Sequence, residues 1–185
     1  MLYTCRAGHI DLTHIRIASD LTAYLAAKTF IALMKNSSGF SFIINTEPSI
    51  YSVNITYPES WENIAQKEEQ AYEISIKVGQ YLAFTATSWH EILTWYGYKI
   101  IAIYPEYPSV FSWEDSYSNL LVTRIGVEAL NDKEHSYNKA VEIAIKKELK
   151  NLGLLPGDTA HQDRDHDEGK ELQGIIPAEP RVAMG

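Results

Sequence analysis

The sequence predicts a mainly α-helical domain, an irregular four-helix bundle with one β-hairpin and a coil C-terminal tail. Three observations carry this. Four long stretches show helical periodicity with few breakers, one short stretch alternates strictly as a strand does, and nothing periodic follows Gly153-Leu154-Leu155-Pro156-Gly157. A single helical domain over 1–155 and an acidic irregular tail over 156–185 follow.

In chain order, Ile10 to about Asn36 reads as a long amphipathic helix rich in Ala and Leu, closed by Asn36-Ser37-Ser38-Gly39. The hairpin, at about 40–57, has Glu47-Pro48-Ser49 as its turn. Its second strand puts Tyr51, Val53, Ile55 and Tyr57 on one face and Ser52, Asn54 and Thr56 on the other. Ser60 is expected to cap a short helical piece reaching Ile64. A second long helix is expected from about Lys67 to Tyr96, stopping at Gly97, with an irregular crossing over Tyr98 to Val110. The third runs from Ser112 to about Leu130, and the fourth from about Ser136 to Leu152, where Lys146, Lys147 and Lys150 suit its C-terminal end.

Composition removes whole classes of function. The chain has 185 residues, a formal charge of −8, 45% hydrophobic residues and one cysteine. That is enough apolar material for one core, with no disulfide framework and no multi-cysteine zinc site. The last 35 residues hold 3 Lys/Arg against 7 Asp/Glu, so half of the net charge lies in the tail. An acidic chain without a basic stripe is a poor partner for nucleic acid or an anionic membrane. No unbroken apolar run reaches the roughly 18 residues that span a bilayer, and Met1 to Arg6 does not read as a secretory signal. The chain therefore reads as soluble, and as cytoplasmic as it stands, with the cell envelope open if an N-terminal segment precedes it.

Polar residues stand where apolar ones belong. On the first helix, Leu25, Leu21 and Ala18 form an apolar stripe that His14 and Asp11 continue, with His9 just before the helix and Arg16 and Asp20 on the opposite side. On the second, Ile76, Gly79, Ala83 and Ala86 form a stripe of small residues that admits a neighbouring helix, and His90 extends it; Glu91 lies inside the apolar half of the same helix. An ionised carboxylate buried alone costs several kcal/mol, so Glu91 needs a partner, a metal, a proton or a wet cavity. The third helix opens Ser112-Trp113-Glu114-Asp115, and Asp115, Asn119, Val122 and Gly126 share one face. Each has a plain structural reading: Asp11 and Asp115 as first-turn acids, His14 as a hydrogen-bonded core residue, Glu91 as a solvated side chain.

With the first two helices antiparallel and the third starting soon after the second ends, His9, Asp11, His14, His90, Glu91, Glu114 and Asp115 are expected to converge on one pocket. Imidazoles with carboxylates suit zinc or another first-row divalent metal, with Glu91 as general base and the other six as candidate ligands. His90-Glu91-Ile92-Leu93-Thr94 begins like the metalloprotease helix motif but has Thr94 where its second His is required. The substrate is expected to be a small molecule, a peptide or a glycan. Two further readings stand beside the metal-dependent hydrolase. One is a metal-free glycan-cleaving site using Glu91 with Glu114 or Asp115, about 5 to 9.5 Å apart, in which the many Tyr and Trp stack on sugars. The other is a non-catalytic module whose polar cluster fixes helix packing. Asp163 to Gly169 resembles a calcium loop with its Gly one position late and Gly174 at the closing Glu position, and reads as a solvated acidic run. Ser118 and Cys5 have no base placed beside them by the sequence.

The segments CRAGHIDLTHIR (Cys5 to Arg16), WHEILTWYGY (Trp89 to Tyr98) and FSWEDSYSNLL (Phe111 to Leu121) are similar to a bacterial family of domains of unknown function, over roughly residues 3 to 150. The resemblance implies no activity or ligand set. Val122 stands where the family pattern has Gly after SNLL, and the longer, exported look of some members implies a possible cell-envelope location.

Overall fold

The computed structural model describes residues 2–10, 12–44, 49–100 and 113–154, with the backbone alone at 2, 3, 9, 13, 14, 94–100 and 113–117. Four helices dominate it: α1 (Leu12–Met34), α2 (Lys67–Ile100), α3 (Trp113–Asn131) and α4 (Tyr137–Leu152). The expected hairpin is present as β3 (Gly39–Ile43) and β4 (Ile50–Asn54), antiparallel, with Phe42 opposite Tyr51 and Ile43 opposite Ile50. A second antiparallel pair, which the sequence reading lacks, joins β1 (Leu2–Thr4) to β2 (Gly8–Ile10).

The core lies on both sides of α1. On one side Leu25 packs with Ala83 and Ala86 of α2 and with Phe42 of the hairpin. On the other, Ile15 and Ala18 join Leu121, Val122 and Ile125 of α3, Val141 and Ala144 of α4, and Ile10 beside β1–β2. The small-residue stripe of α2 does what its composition implies. A Cβ on Gly79 would stand 2.6 Å from the Ala26 backbone nitrogen, so this close approach of α2 to α1 requires glycine. Gly126 makes the matching approach of α3, where a Cβ would lie 3.0 Å from the Ser19 carbonyl oxygen.

These contacts fix direction. Gly79 faces Ala26 while Tyr72, earlier on α2, meets Phe30, later on α1, so the two helices are antiparallel. Ser19 donates from its hydroxyl to the Val122 carbonyl and Thr22 sits against Gly126, so α1 and α3 run parallel. The arrangement is up-down-up-down, with β3–β4 laid across α1 and α2.

Several boundaries differ from expectation: β4 stops at Asn54, short of Tyr57, and Ile10 closes β2 instead of opening α1. Gly97 does not end α2, which continues to Ile100. Glycine in a helix interior costs only about 1 kcal/mol against alanine, a weak stop compared with proline. Tyr98 to Ile100 are therefore helical, and 101–110 of the expected crossing lie outside the described residues. Ser60 is no cap: the short 3-10 helix Glu59–Asn63 has Pro58 at its N-cap position. The β1–β2 pair owes its place to a distant partner, because the Cys5 and Arg6 amides donate to the Gly153 and Leu152 carbonyls at the end of α4.

The stretch Ile15–Met34 of α1, with mean hydropathy 1.3, is long and apolar enough to cross a bilayer by length and composition alone. A core helix meets the same criterion, and this one carries Leu25, Ala26 and Leu33 into the interior.

Candidate functional site

The helix faces are what build a site at one end of the bundle. On α2 the line facing α1 runs through Gly79, Ala83 and Ala86, the last two fully buried, and reaches His90 one turn later. On α3 the line facing α1 runs back from Gly126 through buried Val122 to Asn119 and then residue 115. The antiparallel register set at Gly79 and Ala26, carried about twelve residues further, brings position 91 of α2 level with position 14 of α1. Carried about seven residues back from Ser19 and Val122, the parallel register of α1 and α3 brings position 12 level with 115. The start of α1, the last third of α2 and the start of α3 thus share one level.

Of the seven candidate residues, His90 and Glu91 have described side chains. Both are half-buried and both are engaged by a partner. Glu91 is therefore not a freely solvated carboxylate. His9 pairs with Tyr3 through the backbone of β2, His14 lies in the opening turn of α1, and Glu114 and Asp115 lie in the opening turn of α3. The side chains of these four, and Asp11 entirely, lie outside the described residues. Among the described residues no three His, Cys, Asp or Glu side chains form a group that could hold a metal ion. Arg16 and Asp20 stand on the opposite face, paired at 2.8 Å and solvated, as the stripe requires.

One polar atom at this end has no partner. The side-chain nitrogen of Asn119 is buried without a hydrogen bond among the described residues. Leaving a buried donor unpaired costs about 1–3 kcal/mol, so such a group marks strain, an ion or a ligand position. Asn119 belongs to the site on this evidence, although the sequence placed it only on the Asp115 face.

Beside these residues, β4 and α2 enclose an open groove of about 720 Å³ lined by Ile50, Tyr51, Phe84, Trp89 and Ile92, with Ser49, Thr85 and Ser88 supplying hydroxyls. Phe84 and Glu91 are seven residues apart on α2 and nearly in line, so Glu91 continues the line of the groove's edge residue Phe84 without itself lining the groove. The sequence hid it because its walls come from elements more than 30 residues apart. A second cavity, about 530 Å³, lies toward the other end of α2 between Phe30, Tyr72, Glu68, Glu69 and Lys133, away from His90 and Glu91.

Other singled-out residues carry less. Cys5 is exposed and packs near Gly153, Ser118 is half-buried, and the acidic run from Asp163 to Gly169 lies outside the described residues.

The family model described as a protein of unknown function (DUF4056) matches residues 1–173. No curated protein and no solved structure matches the chain.

Proposed function

The chain belongs to the DUF4056 family, and on that premise we propose that it is a metal-dependent hydrolase whose site lies at the shared level of α1, α2 and α3. The observation that carries this reading is the pair of helix lines that face α1. One ends in His90 and the other in the unpartnered Asn119 and residue 115, an unusual finish for faces that are otherwise small and apolar.

In this reading His9, Asp11, His14 and His90 supply nitrogen and oxygen ligands, and Glu114 or Asp115 completes or orients them. Such a donor set suits zinc or another first-row divalent ion. When bound, that ion supplies Lewis-acid polarisation of the scissile group and lowers the pKa of water. Glu91, half-buried and in line with the groove's edge residue Phe84, takes the proton of the attacking water and returns it to the leaving group.

Elemental analysis of protein purified without a histidine tag tests the proposal. One metal ion per chain is expected, with a fall in melting temperature on chelation. His90→Ala should lose the metal, whereas Glu91→Gln should keep it and lower hydrolysis of a panel of activated esters and phosphodiesters by about 10²–10⁴-fold. Protein free of stoichiometric metal, with a melting temperature that chelator does not move, overturns it.

A further inference from the structure

We propose that the groove between β4 and α2 binds a neutral sugar ring, which makes a carbohydrate the substrate class of the adjoining site. The assignment of substrate rests on the hydrolase reading; the binding itself does not.

The first observation is the aromatic wall. Trp89 is 43% exposed and Ile50 is 74% exposed, and both turn apolar surface to water within the groove. The Tyr51 ring is braced by stacking on Phe42, with centroids 4.7 Å apart and planes 7° from parallel, so the wall is preorganised.

The second is the state of the hydroxyls. Elsewhere in the helices Ser19, Thr22, Thr29, Ser75, Thr87 and Thr123 all donate to a carbonyl one turn back. Thr85 and Ser88, which line the groove, make no side-chain hydrogen bond among the described residues. Those that bond their own backbone are mostly fully buried, whereas Thr85 is exposed and Ser88 half-buried, so both hydroxyls are open to a ligand beside the apolar wall.

The third is charge. Among the described residues no charged side chain lines the groove, and the chain carries −8 overall, a poor setting for an anion. A pyranose meets all three conditions: its C–H faces lie on aromatic rings and its hydroxyls pair with neutral hydroxyls. An alkyl chain would leave Thr85 and Ser88 unpaired, and a phosphorylated ligand would lack a cation. The volume, about 720 Å³, is in the range of small-ligand sites, and Glu91, in line with the edge residue Phe84, is the proposed base of the adjoining site.

The test is calorimetric titration of the full chain, with chelator present, against soluble β-1,4 hexamers of glucose, N-acetylglucosamine and xylose. Saturable binding of at least one is expected, weakened about tenfold or more by Trp89→Ala and several-fold by Thr85→Val with Ser88→Ala, with circular dichroism unchanged. Sugar binding that survives in metal-free protein upholds the groove even where the metal reading fails. Absence of binding to every hexamer at about 10 mM overturns the proposal. So does affinity indifferent to both groove variants, or occupation by an anilinonaphthalene probe that no hexamer displaces.

Discussion

Where α1 finishes, its last carbonyls are met by backbone and side-chain donors; at the opposite end, where α1 begins, a buried side-chain donor stands without a partner among the described residues. At the first end Asn36 adopts a left-handed conformation with φ 52°, and the Ser37 and Asn36 amides donate to the Ala32 and Leu33 carbonyls, closing the helix. The Tyr57 hydroxyl adds bonds to the Ala32 and Ser37 carbonyls at 3.1 and 2.8 Å, and the Trp61 indole N–H donates to the Leu33 carbonyl. Trp61 is buried against Leu33 and Ala71. At the second end the rim is tied too, since Gly153 closes α4 in a left-handed turn and the Cys5 and Arg6 amides of the β1–β2 turn donate to the Gly153 and Leu152 carbonyls. At the same end the buried Asn119 side-chain nitrogen has no partner, and in the β4–α2 groove the Thr85 and Ser88 hydroxyls make no side-chain bond among the described residues while Trp89 is open to water. One end is built for stability, while the other leaves hydrogen-bonding capacity unused beside His90 and Glu91, the pattern of a site that exchanges stability for function.

The largest expected effect lies at the closed end. Trp61→Ala should lower unfolding free energy by about 3–5 kcal/mol in urea denaturation, because it removes a buried indole and opens a cavity under Tyr57. Metal content and sugar affinity of the folded fraction should not change. A fall in either, in protein that is still folded, would mean that the two ends are coupled rather than separate.

This division was half legible in the sequence. The four helices and the β3–β4 hairpin follow from local periodicity, and the small-residue stripe of α2 announced its packing against α1 because steric fit depends on side-chain size alone. Glu91 among apolar neighbours was also legible, since burial of a carboxylate violates the helical pattern. The β1–β2 pair was not, because strands of three residues have no readable period and depend on the end of α4, some 145 positions away in the chain. The groove was not either. Ser49 to Tyr51 and Phe84 to Ile92 become one surface only when the hairpin folds over α2, and whether a helical hydroxyl bonds its own backbone is a rotamer choice that sequence does not carry.

A smaller effect sharpens the account of the closed end. Tyr57→Phe keeps the ring and deletes both hydroxyl bonds, leaving partly buried carbonyls at the end of α1, and should cost about 1–2 kcal/mol. It should also change the alkaline limb of stability. Burial pushes the Tyr57 phenol above its ordinary value, and does the same more strongly at Tyr137, so the folded state holds protons that the unfolded chain gives up near pH 10. Their contribution is complete below that pH and is lost as pH rises through the folded-state values. Stability against pH, followed from 8 to 11, should fall less steeply in Tyr57→Phe than in the parent.

The smallest effect has the opposite sign and separates the two ends most sharply. Asn119→Leu replaces a buried amide whose nitrogen has no partner with an apolar side chain of similar volume, next to buried Val122 on the line that faces α1. If that nitrogen serves a ligand or an ion, removing it in the unliganded protein relieves a desolvation cost, and stability should rise by about 1 kcal/mol while metal retention falls. If the polar residues at this end instead form a closed network that holds the helices together, the same substitution breaks it and stability should drop by a similar amount. Chemical denaturation of metal-free protein reads the sign directly. A loss would move His90, Glu91 and Asn119 from the machinery of a hydrolase to the packing of the bundle, making the two ends alike.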